Sequence, residues 1–220
     1  MMAKTQKTVI SDRESIMLSD QESESNSIRR GRPSIPAELI LAAADQLFSV
    51  ADSPGTVTME AIARAACVGK GTLFRAFGSR NGLLDALWEA KLGTLRKAVE
   101  VETPPLGFGG PPRVRAVAFL DALLTFKLEN RHLIRARETP SLGLRQSEQY
   151  KWMHGLLRDL LKDATRGGAS EEVDYKAHVL LGALHIDLIE DLLATGQTSE
   201  EIRRSQAALT RAVIDDARLA

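Results

Sequence analysis

The chain has 220 residues, 44% hydrophobic and 5% aromatic, with 29 basic and 29 acidic side chains and a single cysteine. That apolar content supports a folded core in one domain or two modest ones. The lone Cys67 excludes an intramolecular disulfide and suits a reducing compartment. No run of roughly eighteen apolar residues predicts a membrane span. The N-terminus lacks the apolar stretch of a signal peptide, so a cytoplasmic location without membrane contact is expected.

Alanine and leucine are abundant and β-branched alternation is missing, which predicts an all-α fold. Charge is uneven beneath the neutral total. Residues 1–28 hold three basic and five acidic side chains, residues 29–97 ten and six, and residues 98–220 sixteen and eighteen. The positive middle segment has the sign that phosphate neutralisation requires. Ordinary surface scatter gives excesses of similar size, so the position of motifs must decide.

Residues 1–28 are polar and serine-rich (SDQESESNS) with little to bury, and read as a disordered tail. Next comes Arg29-Arg30-Gly31-Arg32-Pro33. It is either a basic arm that tracks a backbone or enters a minor groove, or a solvated linker. A first helix is expected from about Ser34–Pro36 to Val50, burying Ile40, Ala44, Leu47 and Phe48. Ser53-Pro54-Gly55 ends it.

Residues 56–83 are the most informative stretch. Thr58 is placed to N-cap a second helix, Glu60 adds negative charge at that positive end, and Ile62, Ala65 and Ala66 form its inward stripe. Ala66-Cys67-Val68-Gly69 reads as a tight turn with Val68 plugging the angle. A third helix opens near Lys70 and carries Leu73 and Phe77 inward at a spacing of four, leaving Lys70, Thr72 and Arg75 outward. Two short helices joined in this way, with a basic segment before and a long helix after, have the wiring of a helix-turn-helix reader of the DNA major groove. Cys67 sits near a helix N-terminus and Lys70, which favours a thiolate. As a small turn residue it needs no such role, and no second cysteine exists to resolve an oxidised thiol.

Ser79 caps a fourth helix carrying Leu83, Leu84, Leu87, Trp88, Leu92 and Leu95 towards Val101, which joins the helix-turn-helix to the C-terminal half of the chain. Residues 103–112, TPPLGFGGPP, form a loop. The expected organisation is therefore a tail at 1–28, a DNA-binding domain at 29–102 and a second helical domain at 103–220. That domain holds helices from about Arg113 to Leu128, Arg131 to Arg137, Arg145 to Thr165, Glu171 to Ala194, and Thr198 or Ser199 to Leu219, nine helices in all. A Thr139-Pro140-Ser141 break separates the sixth from the seventh, and Gly196 caps the eighth. The eighth is apolar on more than one face between Val179 and Leu193, where a surface helix needs one. Leu180, Leu184 and Leu188, with Leu209 and Val213 of the ninth, are the expected interface of a two-fold homodimer; the other reading is that the eighth helix is the central core helix of a monomer.

The pattern Gly31-Arg32-Pro33, then LFSV, MEAIARAA, VGKGTLF and RAFGSRNGLLDAL resembles the DNA-binding domain of the TetR family of bacterial transcriptional regulators, in fixed order over some sixty residues. Cys67 stands where that family commonly has glycine, Gly69 where it has a capping serine, and Phe74 where it has tyrosine. The resemblance implies DNA contacts from Arg29, Arg30, Arg32, Thr58, Lys70, Gly71, Thr72, Arg75 and Arg80. Phe74 lacks the phenolic hydroxyl and would touch DNA by packing alone. It also implies a helical ligand-binding and dimerisation domain, whose helix order and lengths match here. There Trp88, Leu92, Leu123, Phe126, Trp152, Met153, His178 and His185 would surround a cavity for a largely apolar small-molecule effector. The implied function is a homodimeric repressor released from a palindromic operator on double-stranded DNA by that ligand. Two alternatives stand beside it, a helical binding protein with an inactive reader and an all-helical enzyme.

Nothing in the residues supports catalysis. No phosphate loop or nucleophile elbow is present, and Asp187, Glu190 and Asp191 read as a solvated stripe facing Arg203 or Arg204. His178 and His185 lie about 10 Å apart along one predicted helix, too far to share a metal. No cysteine or carboxylate spacing around His154 suggests another, so neither metal nor cofactor is expected.

Overall fold

Capping chemistry sets where the helices of the computed structural model begin and end. Residues 36–101, 103–136, 147–165 and 170–216 are described, all within one compact unit, Ile35–Ala220. The tail, Arg29, Arg30, Arg32 and the Thr139-Pro140-Ser141 break lie outside the described residues. The described elements are helical throughout. They are α1 (Ala37–Val50), a 3-10 turn (Pro54–Thr56), α2 (Met59–Ala65), α3 (Lys70–Phe77), α4 (Arg80–Glu100) and α5 (Pro112–Glu129), then α6 (Arg131–Arg135), α7 (Glu148–Ala164), α8 (Ser170–Gly182), α9 (Ile186–Ala194) and α10 (Ser199–Asp216). None of these helices is long and apolar enough to cross a membrane.

Thr58, Ser79 and Ser147 each accept a backbone N–H from the first turn of the helix they precede, at 3.2, 3.0 and 3.2 Å. Thr198 and Glu201 close a capping box on α10. The Glu201 carboxylate accepts from the Thr198 N–H at 2.8 Å, and the Thr198 hydroxyl accepts from the Glu201 N–H at 3.2 Å. Gly196, at φ 100°, ends α9 in the left-handed conformation that glycine adopts freely.

Two apolar clusters organise the packing. One gathers Ile40, Ala44 and Phe48 of α1, Met59 and Ile62 of α2, Leu73 of α3 and Leu83, Leu84 and Leu87 of α4. Leu133 and Ala136, at and just beyond α6, join this cluster although they lie beyond the proline-rich loop in sequence. The other gathers Leu92, Leu95 and Val99 of α4 with the buried faces of α5, α7, α8, α9 and α10. Trp88 packs against both clusters, edge-on to Phe126 at 4.9 Å. The loop at 103–112 is held by Arg115, which donates to the Leu106 carbonyl at 3.1 Å and lies over the Phe108 ring at 5.2 Å.

The continuous helix expected from Glu171 to Ala194 is broken at Ala183–His185, which gives ten α-helices among the described residues rather than nine. Leu184 and Ile186 are both buried, and residues two apart point to nearly opposite sides of a straight helix. The bend lets both reach the core. It also frees carbonyls, and the Lys127 ammonium donates to that of Leu184 at 2.7 Å. Lys127 is half-buried overall, but its charged end is desolvated, which pushes its pKa down to about 8. The unfolded chain restores the ordinary value, so between pH 8 and 10.5 it binds more protons than the folded chain and stability rises with pH. Relative to a Lys127→Met variant, the protein should therefore gain about 2 kcal/mol between about pH 7.5 and pH 10 in urea unfolding. Parallel stability profiles would show that the ammonium stays solvated.

Candidate nucleic-acid interface

The reader is set by how α2 stops. The Cys67 N–H donates to the Arg64 carbonyl at 3.1 Å and the Val68 N–H to that of Ala63 at 2.9 Å. This pair of bonds is a Schellman motif, and half-buried Val68 packs into the apolar cluster beside it. Such a turn needs a left-handed residue, and Cys67 takes it at φ 54°. The cost of a Cβ in that conformation is on the order of 1 kcal/mol. Met59, Ile62 and Ala63 are the buried residues of α2. Ala65, expected to face inward, is exposed because the stripe runs through Met59, Ile62, Ala63 and half-buried Ala66, which leaves position 65 outside it.

In α3, Leu73 is fully buried and Phe77 half-buried, which pins one side of the helix. Lys70, Gly71, Thr72, Phe74 and Arg75 are all exposed. Lys70 forms an ion pair with Glu60 of α2, and the hydrogen bond and charge of Lys70 hold the Glu60 carboxyl below its ordinary value. A Cβ at Gly71 would meet nothing within 4 Å, so that side of α3 is open to close approach. Gly69 offers no side-chain cap to the first turn of α3, and its carbonyl accepts from the Thr72 N–H at 2.9 Å. Thr58 is exposed, and its oxygen is already an acceptor for the Ala61 N–H.

Arg80 is not on this surface. Its guanidinium donates to the carbonyls of Val57 at 2.9 Å, Ala136 at 2.7 Å, Pro54 at 2.9 Å and Gly55 at 3.0 Å, and lies 5.5 Å from the Phe48 ring. A phosphate-holding role does not fit, because most of its N–H donors are spent on the protein itself. Asp45 makes a second tie. Burial alone would raise its carboxyl, but Lys91 at 2.8 Å and His132 at 2.9 Å outweigh that and lower it. It joins α1, α4 and α6. No local pattern marks Gly82 either, yet a Cβ there would lie 2.1 Å from the Phe77 carbonyl oxygen, so the turn from α3 into α4 requires glycine. The roles of Arg80 and Asp45 depend on distant partners, which spacing along the chain does not name.

Among the expected pocket positions, Leu92, Leu123, Phe126 and Met153 are packed in the core, and Trp88 and Trp152 border it. Trp152 lines a small surface cavity of 150 Å³ with Val99, Phe108 and Leu156. His178 is half-buried, whereas His185 is exposed at the α8–α9 bend, so the two no longer share a helix. Leu180 and Leu184 are fully buried inside the chain and unavailable to a second copy. Val179, Leu188 and Leu209 are exposed and Val213 half-buried. Arg203 binds Asp121 of α5 through two 2.6 Å hydrogen bonds, and Glu190 pairs with Arg135 at 2.7 Å, so the expected Arg203 partners are replaced by others.

The strain at Cys67 gives a direct check of this turn. Cys67→Gly should stabilise the protein by about 0.5–1 kcal/mol in chemical denaturation, since glycine has no Cβ penalty but loses more backbone entropy on folding. Destabilisation would mean that the cysteine side chain makes a compensating contact.

Residues 40–87 match the family model of the bacterial regulatory proteins of the tetR family. No curated protein matches the sequence. A TetR-like transcriptional regulator from Rhodococcus sp. RHA1 is 22% identical, with a TM-score of 0.54 over 84% of this chain and 96% of that one. A TetR family repressor, AlkX, from a Dietzia species, implicated in biodegradation of n-alkanes, is 18% identical over 86% of this chain and 99% of that one, with a TM-score of 0.47. The Rhodococcus protein shares the fold, and the matched segment spans α1 through the start of α4, where the reader lies. The helix-turn-helix built as described is therefore the part of this chain, residues 40–87, that is similar to the bacterial regulatory proteins of the tetR family.

Proposed function

We propose that this protein is a homodimeric cytoplasmic repressor that reads a palindromic operator through α3 and leaves it when a small molecule binds the C-terminal helices. The observation that carries the reading is the exposed side of α3, where Lys70, Thr72 and Arg75 stand over a helix anchored by buried Leu73. Arg75 is the base reader, since a guanidinium matches the two acceptors on a guanine edge. Lys70 exchanges Glu60 for a phosphate, and the N–H groups of Lys70 and Gly71, which no side chain caps, serve the same backbone. The exposed Val179, Leu188 and Leu209 give a second copy an apolar surface to cover. Two readers in one dimer then meet successive major grooves.

An effector acts by favouring a conformer in which the two readers are wrongly spaced. The shift cannot exceed its difference in affinity for the two conformers. The core positions expected around the ligand are mainly apolar, which supports a largely apolar effector.

Arg75→Ala should cost about 1–3 kcal/mol per site and relax preference at one position of each half-site. Lys70→Ala should weaken all duplexes alike and flatten the salt dependence by about one phosphate per protomer. Fluorescence anisotropy against matched and scrambled duplexes distinguishes the two. Unchanged sequence preference in Arg75→Ala would remove it from the reader.

A further inference from the structure

The crossing of α7 and α8 brings together side chains that the sequence keeps twenty residues apart. Tyr150 and His154 lie one turn apart on α7, and Asp174 and His178 one turn apart on α8. The His154 and His178 rings stack at 3.9 Å between centroids and 20° between planes, with the Tyr150 ring nearly parallel to both. His154 Nε2 is 3.5 Å from Asp174 Oδ1 and 3.3 Å from its backbone carbonyl oxygen, and His178 Nε2 is 3.6 Å from Asp174 Oδ2. One ligand atom from each of His154, Asp174 and His178 falls within 4.8 Å of the others.

We propose that His154, Asp174 and His178 form a binding site for a divalent transition-metal ion of the zinc class. Bonds of about 2.0–2.1 Å in a tetrahedral site put ligand atoms about 3.3 Å apart. Each imidazole is already close to that from one Asp174 oxygen, His154 from Oδ1 and His178 from Oδ2, so a shared ion takes the carboxylate through both oxygens or after a small rotation. No pair of the three ligand atoms has more than about 1.5 Å to close, and the two rings must splay to aim their lone pairs at one point. Two imidazoles and one carboxylate favour zinc, cobalt, nickel or copper over calcium or magnesium, which take oxygen ligands.

Coordination through Nε2 puts the proton of His178 on Nδ1, and that nitrogen lies 2.7 Å from Tyr150 Oη. Tyr150 is thus the outer partner that fixes the tautomer and ring orientation of a metal-bound histidine. His154 is nearly buried, His178 half-buried and Asp174 open enough to admit an ion. The Asp174-to-His178 spacing of four is the one sign of this site in the sequence, and His154 joins it only through packing.

The test is zinc titration of the untagged full chain by calorimetry, with visible absorption of bound Co²⁺ as a second readout. One ion per chain is expected, with affinity in the micromolar range or tighter. Asp174→Asn and His154→Gln should each weaken it at least about tenfold, Tyr150→Phe about tenfold, and His185→Gln not at all. Thermal unfolding without metal confirms that each variant folds, and Asp174→Asn alters a partly exposed group. No saturable binding, or binding that survives all three substitutions, would overturn the proposal. The readout is metal uptake, so it succeeds or fails independently of whether α3 reads DNA.

Discussion

The structure turns on one guanidinium. Arg80 opens α4, where a cation opposes the positive end of the helix dipole, yet it gathers carbonyls from the 3-10 turn, from Val57 before α2 and from Ala136 after α6. Hydrogen bonds to a charged group contribute about 1.5–3 kcal/mol each, and they do not add when one group makes them all. Shared donors mean shared failure. Losing this side chain would release the entry to α2 and the end of α6 together.

That arrangement explains how α3 is held with so little of itself buried. Leu73 is its fully buried side chain and Phe77 a half-buried one. The orientation of α3 is set by its neighbours, through the Schellman turn at Cys67 and the tight Phe77-to-Gly82 approach at the start of α4. Asp45 then links α1 to α4 and α6. The Arg80 and Asp45 ties both bear on the helices that frame the reader, which is why a modest shift in the C-terminal helices would matter at the DNA.

Local chemistry made much of this legible in the sequence. Thr58, Ser79 and Gly196 announce helix ends because capping involves residues three or four apart. The exposed side of α3 is legible in the spacing of Leu73 and Phe77. Where the sequence misled, a distant partner decided the outcome. Arg80 has the position of a phosphate ligand, but Ala136, 56 residues away, takes one of its donors. Leu180 and Leu184 have the spacing of interface residues, yet they lie on the face that α8 packs into the core with Val173 and Ala177, a choice between two apolar faces that the spacing alone does not make. The His154–Asp174–His178 cluster arises from the crossing of α7 and α8, a geometry that periodicity within either helix does not contain.

The central claim is that two copies of α3 read DNA as a symmetric pair. Selection of bound duplexes from random DNA by the purified protein, at two salt concentrations, tests it most directly. A symmetric pair predicts an enriched sequence with two-fold symmetry, half-sites about one helical turn apart, and binding that weakens steeply as salt rises. Absence of enrichment at either salt concentration would contradict it.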